Sequence, residues 1–131
     1  MQLPVSILSL VIWLKVNLIE LVFFKLSIIL DLKYHYNRPR PFQLSSHYNI
    51  KLGEKVLESM KTPSYPSGHS LQGILVGKVL QTRLPINTDA FLEAGKRISY
   101  SRNIGRAHYP YDSRLGEDIA DAMFRYIREK I

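Results

Sequence analysis

Residues 101–112, SRNIGRAHYPYD, bring an arginine, a histidine and a carboxylate close together in the chain. The guanidinium of Arg102 can donate two parallel hydrogen bonds to phosphate oxygens. Asp112 follows His108 by four residues, so its carboxylate can hold one imidazole nitrogen and leave the other free as a base or nucleophile. An aspartate near a helix N-terminus with a histidine close by also occurs without any catalytic role. On its own, the segment leaves both interpretations open.

The segment PSGH, residues 66–69, precedes an apolar stretch and is typical of a helix start. Ser67 is a good N-cap residue, and the first amides of a helix favour an anion together with the helix dipole. Gly68 lets the backbone approach a ligand closely, and His69 would lie in the first helical turn beside that ligand. The alternative is a simple N-cap followed by a partly exposed histidine.

A third cluster of cations lies in KYHYNRPRP, residues 33–41. Its two prolines interrupt the helix, which puts Lys33 in the last turn and Arg40 on the following loop. Cations near a helix C-terminus are common because they interact favourably with the helix dipole, so this cluster alone indicates no ligand. Arg38 does not fit the spacing of the other two cations, and we interpret it as a supporting or surface residue.

Taken in order, the three segments read Lys-x6-Arg-Pro, Pro-Ser-Gly-His and Ser-Arg-x5-His-x3-Asp. This combination resembles the signature of the type 2 phosphatidic acid phosphatase superfamily, which includes bacterial class A acid phosphatases and vanadium-dependent haloperoxidases. No position of the signature is missing. The matching residues are Lys33, Arg40, Pro41, Pro66, Ser67, Gly68, His69, Ser101, Arg102, His108 and Asp112.

The resemblance implies a site that binds phosphate without a metal ion or other cofactor, although vanadate could occupy the same site. It implies that three cations, one hydroxyl and one backbone amide hold the phosphoryl oxygens. Such groups suit phosphoryl transfer, because this reaction depends mostly on positioning and charge stabilisation. They belong to Lys33, Arg40, Arg102, Ser67 and Gly68.

The resemblance also implies the chemical roles of three residues. His108 would attack phosphorus and form a phosphohistidine, and Asp112 would orient its ring and stabilise the imidazolium. His69 would protonate the leaving oxygen, after which water would hydrolyse the intermediate. Because His69 must be protonated while His108 must not be, we expect a pH optimum on the acidic side of neutral.

We therefore predict a metal-independent phosphatase that acts on phosphomonoesters or lipid phosphates. One alternative is a haloperoxidase that holds vanadate in the same site. Another is a non-catalytic module that binds anions or nucleic acid, since the formal charge of +7 favours anionic partners. Nucleic acid is disfavoured because the cations lie at the signature positions and not along a helix face. The absence of cysteine excludes disulfides, zinc–thiolate sites and a cysteine nucleophile.

The elements that must position these residues are predicted to be helices only, in a compact bundle of the acid phosphatase and vanadium-dependent haloperoxidase type. N-cap residues, glycines and prolines set their expected bounds. The predicted helices cover about residues 5–33, 52–60, 67–85, 88–105 and 110–130, with a polar loop over about 43–49. The predicted buried stripe of the last helix is Leu115, Ile119, Ala122, Met123, Tyr126 and Ile127.

Apolar residues dominate the N-terminus, which we interpret as a mostly buried helix that includes Trp13, Phe23 and Phe24. Charged residues interrupt it, so no uncharged run reaches the ~18 residues of a spanning helix. Membrane association through this helix remains an alternative, and the sequence leaves the localisation open. Residues 1–131 are predicted to form one domain. Because little helical sequence precedes Lys33, we expect a domain that is minimal or truncated at its start, whose core a second copy could complete.

Overall fold

The computed structural model describes residues 20–21, 25–53, 56–84, 86 and 88–129. Every regular element among them is helical and none is a strand, which confirms the predicted all-α fold. In chain order these elements are α1 (25–36), α2 (Pro41–His47), a 3-10 helix (Glu58–Lys61), α3 (Gly68–Arg83), α4 (Thr88–Ile104) and α5 (Pro110–Ile127).

The first two helices meet at the segment that carries Arg40. Helix α1 ends where Asn37 adopts a left-handed conformation, with φ of 47°, and donates its amide to the Lys33 carbonyl at 2.8 Å. The predicted loop over 43–49 is wrong, because α2 occupies most of it. Pro41 suits the first helical position, and the Gln43 side chain accepts the amide of Arg40 at 2.7 Å. This capping outweighs the polar composition that suggested a loop.

A short 3-10 helix replaces the α-helix predicted over 52–60, where residues 54–55 lie outside the described part of the chain. The remaining helices begin and end close to the predicted bounds. The Ser67 hydroxyl accepts the amide of Ser70 at 3.2 Å and caps α3 as expected. Helix α4 ends just before Gly105, but the left-handed residue of this turn is Arg106, with φ of 57°.

Helix α3 packs against both α4 and α5 and supplies three of the six residues of the buried apolar cluster. Its contact with α4 depends on glycine, since a Cβ atom added to Gly73 would lie only 2.9 Å from the Gly95 carbonyl oxygen. The two backbones therefore touch, which no larger residue at these positions permits. The buried apolar cluster consists of Ile29, Leu71, Ile74, Leu75, Ala120 and Met123.

The buried stripe predicted for α5 is partly wrong. Met123 is buried, whereas Ala122 and Tyr126 are exposed. The face that packs on α3 begins with polar and small residues, because Gly116 lies against the backbone of Ser67 and leaves no room for a side chain. The buried residues of α5 are Asp112, Ser113, Gly116, Ala120 and Met123.

Most of the predicted N-terminal helix, including Trp13, Phe23 and Phe24, lies outside the described residues. Within the described ranges, no helix combines the length and the apolar character that a membrane crossing requires.

Candidate active site

Three segments that are distant in sequence meet at one end of the bundle. The Lys33 ammonium at the end of α1 donates to the Pro63 carbonyl at 2.7 Å. The Arg40 guanidinium donates to the Ala107 carbonyl, in the turn between α4 and α5, at 2.8 Å. The amide of Ser67, before α3, donates to the Asp112 carbonyl at 2.9 Å. The starts of α3 and α5 are thereby joined to the loop that carries the cations.

Asp112 and His108 form a buried pair at the start of α5. Nδ1 of His108 lies 3.3 Å from Oδ2 of Asp112, and the same oxygen accepts the Ser64 hydroxyl and the amide of Tyr109. Burial by itself raises the pKa of Asp112, but the hydrogen bonds from His108, Ser64 and Tyr109 outweigh it and hold that pKa below its usual value. Asp112 is therefore an ionised acceptor that fixes the imidazole ring.

The hydrogen bonds of His108 determine which ring nitrogen carries the proton. Because Asp112 accepts the Nδ1 proton, we assign the lone pair to Nε2. Nε2 lies 3.2 Å from Nη1 of Arg40, an atom that can only donate. Burial lowers the pKa of His108 to about 4, helped by the charges of Arg40 and Lys33 and opposed by the hydrogen bond to Asp112. The imidazole is thus neutral near neutral pH and carries its lone pair beside the cations.

Arg40 is buried, with 1% of its surface exposed, yet its guanidinium is well paired. Nε donates to the Thr62 carbonyl and Nη2 to the Ser59 carbonyl, each at 2.9 Å. Burial and the charge of Arg102 lower the pKa of Arg40 to about 10, whereas Asp112 opposes this shift. The carbonyl oxygens carry only partial negative charges, so they do not cancel the full positive charge of the Arg40 guanidinium. This end of the bundle therefore keeps a positive potential.

Lys33 and Arg102 complete the group of cations. Burial, followed by the charge of Arg40, lowers the pKa of Lys33 to about 7. Nη2 of Arg102 donates to the Ser59 hydroxyl at 2.8 Å, while its Nε is buried and has no hydrogen-bond partner among the described residues. A buried donor of this kind costs free energy until an acceptor reaches it, and an anion beside Arg102 would supply one.

At the start of α3, Ser67 is buried, Gly68 is half-buried and His69 is exposed. A Cβ atom on Gly68 would lie 3.4 Å from the Ile29 side chain. Burial and the charges of Arg102, Lys25, Arg40 and Lys33 lower the pKa of His69. His69 also lies at a groove of about 370 Å³ between α3 and α4. The other lining residues are Gln72, Gly73, Val76, Gly77, Leu80, Phe91, Ala94, Gly95 and Ile98.

Two neighbours of Asp112 were not identified as site residues from the sequence. Arg38, interpreted as a supporting or surface cation, pairs its Nη1 with Oδ1 of Asp112 at 3.0 Å and lies over the Tyr109 ring at 4.6 Å. No feature of the amino-acid sequence indicated that Ser64 would contact the site. Its role depends on the loop before α3 folding against α5, and spacing along the chain does not report such a contact.

The described residues include no group of three or more histidine, aspartate or glutamate side chains arranged to hold a metal ion. Asp112 already accepts hydrogen bonds at both carboxylate oxygens, and the charged side chains that remain in the site, those of Lys33, Arg40 and Arg102, are cationic. This donor set suits an oxyanion better than a divalent cation.

Comparison with known proteins gives a family match over most of the chain. The sequence profile of the PAP2 superfamily matches residues 10–127. A non-specific acid phosphatase from Salmonella typhimurium is 33% identical over 92 residues, which cover 70% of this chain and 36% of the relative. Its counterpart from Salmonella typhi is 32% identical over the same share of each chain. The chain thus spans about a third of the length of these relatives. No solved structure gives a significant match.

Proposed function

Because the chain belongs to the PAP2 superfamily, we propose that it is a metal-independent phosphatase that hydrolyses phosphomonoesters or lipid phosphates through a phosphohistidine. One observation carries the proposal. His108 is buried and neutral, Asp112 holds its Nδ1, and its Nε2 lone pair lies 3.2 Å from Nη1 of Arg40. A lone pair in this setting suits attack on a phosphoryl group whose negative charge the cations attract. The name of the Salmonella relatives, non-specific acid phosphatase, supports phosphatase activity.

The phosphoryl group would bind among Arg102, Arg40, Lys33 and the start of α3. Arg102 has a buried Nε available for an oxygen. The donors of Arg40 and Lys33 already meet carbonyl oxygens, so they would contribute charge or exchange one of these bonds for a phosphoryl oxygen. Ser67 and the amide of Gly68 would contact the remaining oxygens.

The reaction would proceed in two displacements. Nε2 of His108 forms a bond to phosphorus while the bond from phosphorus to the ester oxygen breaks, and Asp112 stabilises the imidazolium that results. His69 gives a proton to the departing oxygen. The neutral His69 then accepts a proton from water, whose oxygen attacks the phosphohistidine, and cleavage of the P–N bond releases inorganic phosphate and restores His108.

A chromogenic phosphomonoester tests the proposal. We expect His108→Ala to lower the rate of hydrolysis at least about a thousandfold, because the nucleophile is removed. His47→Ala provides the matched control, since His47 is exposed at the end of α2, and it should keep the wild-type rate. Vanadate should inhibit the wild type and a chelator should have no effect.

Equal rates from the wild type and His108→Ala would contradict the proposed reaction. Oxidation of bromide by peroxide only in the presence of vanadate, without hydrolysis, would favour the haloperoxidase alternative. Anion binding without either reaction would favour a non-catalytic module.

A further inference from the structure

A chain of three buried hydroxyls leads from the proposed phosphate site to a carboxylate on α5. The Ser67 and Ser70 hydroxyl oxygens are 2.9 Å apart, and the Ser70 and Ser99 hydroxyl oxygens are also 2.9 Å apart. The Ser99 hydroxyl also forms a hydrogen bond with Oε1 of Glu117. All three serines are buried, with at most 1% of their surface exposed. These hydrogen bonds thus link α3, α4 and α5 next to the end of α3 at which phosphate is proposed to bind.

The number of available protons determines which group donates and which accepts in each of these hydrogen bonds. Each hydroxyl has one proton to donate, and a carboxylate only accepts. Glu117 takes the proton of Ser99, because a hydrogen bond to a charged acceptor is the stronger one. Ser70 must then donate to Ser99, since two lone pairs would otherwise face each other, and for the same reason Ser67 must donate to Ser70.

All three protons therefore point away from the proposed phosphate site. The Ser67 oxygen accepts the amide of Ser70 at 3.2 Å and keeps one further lone pair. Toward a ligand it offers this lone pair and no proton.

We propose that Glu117 is a positioning residue that sets the direction of the hydroxyl chain, so that Ser67 accepts a hydrogen bond from the phosphoryl group. This inference rests on the proposed function, in which Ser67 contacts a phosphoryl oxygen. It implies that the oxygen facing Ser67 bears a proton, so that the bound species is the monoanion of a phosphate or phosphomonoester. The neighbouring Gly116 fixes the register, because it lies directly against the Ser67 carbonyl.

Glu117→Gln tests the inference. A glutamine amide can donate to Ser99, which reverses the chain and frees the Ser67 proton for the ligand. We expect the dissociation constant for inorganic phosphate, measured by titration calorimetry, to fall about tenfold, the gain from one hydrogen bond to a charged acceptor. Ser99→Ala should shift it in the same direction, since Ser70 is then free to donate to Ser67 while the Glu117 charge remains.

Two controls separate proton direction from charge. Asp118→Asn removes a charge from an exposed residue of the same helix and should leave phosphate binding unchanged. In the Ser67→Ala background, Glu117→Gln should give no gain, because the proton that it frees belongs to Ser67.

An unchanged dissociation constant in both Glu117→Gln and Ser99→Ala would overturn the inference. A gain that persists without Ser67 would also overturn it, because the lost charge would then explain the effect. Neither result would affect the proposed function, which depends on hydrolysis by the wild type and its loss in His108→Ala. Failure of the wild type to bind phosphate would contradict both.

Discussion

At the scale of single residues, the cations that would bind the ligand in the proposed reaction also help to lower the pKa of the proposed nucleophile, His108. Burial and the charges of Arg40 and Lys33 lower the pKa of His108 to about 4. Those charges would also attract a phosphoryl anion. An imidazole that stays neutral beside cations needs no separate base to remove its proton. In the proposed reaction, Asp112 would balance the positive charge that develops on the ring during attack.

These pKa values predict the pH dependence of hydrolysis. The quantity kcat/KM should rise with pH through about 4, as His108 loses its proton, and fall at or below about 7, as His69 and Lys33 lose theirs. Lys33 contributes to the falling limb because only its protonated form attracts the anion. Rates measured across this range should give a bell-shaped profile with an acidic optimum. A profile that keeps rising above neutral pH would contradict the assignment.

At the scale of the helices, the site depends on how closely α5 approaches the start of α3. Gly116 faces the Ser67 carbonyl, and an added Cβ would also lie 3.1 Å from the amide nitrogen of Leu71. Backbone atoms cannot move aside as a flexible side chain would. Because glycine has no side chain, Gly116 allows Ser67 to lie beside Asp112.

Gly116→Ala should lower the free energy of unfolding by about 1–3 kcal/mol, the usual cost of overpacking, and should also lower the rate of hydrolysis by displacing Ser67. Urea unfolding and the phosphomonoester assay measure the two effects. Gly53→Ala is the matched control, because a Cβ there meets no atom closer than 3.8 Å. Equal stability of the two variants would show that the bundle tolerates a wider spacing between α3 and α5.

At the scale of the whole molecule, the site reduces the stability of the fold. His108, Lys33 and Arg40 are all buried, and burial lowers the pKa of each. Each group therefore binds its proton less tightly in the folded chain than in the unfolded one. Within the corresponding pH range, acidification favours the unfolded state.

For His108 this range runs from the ordinary pKa of 6.5 down to about 4. The unfolded chain takes up the proton first, so the free energy of unfolding should fall by roughly 3 kcal/mol as the pH decreases across it. Urea unfolding at several pH values measures this loss. His108→Gln lacks the titrating group and should show a flatter dependence. An equal slope in both proteins would mean that His108 titrates normally in the folded state.

The sequence by itself determined the helical class, the family signature and the bounds of the last three helices. These features are local. Ser67 caps α3 through its own hydroxyl, Pro110 occupies the first turn of α5, and the signature residues occur at fixed spacings. The sequence also named the candidate site residues. The structure joins Arg40, His108 and Asp112 by hydrogen bonds, and Lys33 donates to the Pro63 carbonyl that Arg40 also contacts, although the roles of these residues stay predictions.

Only the tertiary structure decided which further residues surround the candidate site residues. Ser64 and Arg38 reach Asp112 across 48 and 74 residues of chain, and Ser99 reaches Glu117 from another helix. Tyr126 has the periodicity of a buried residue but is exposed, because small residues form the face of α5 that packs on α3. Caps, prolines and motif spacings act between neighbours in the chain, whereas these contacts depend on how closely whole helices pack, which no single segment encodes.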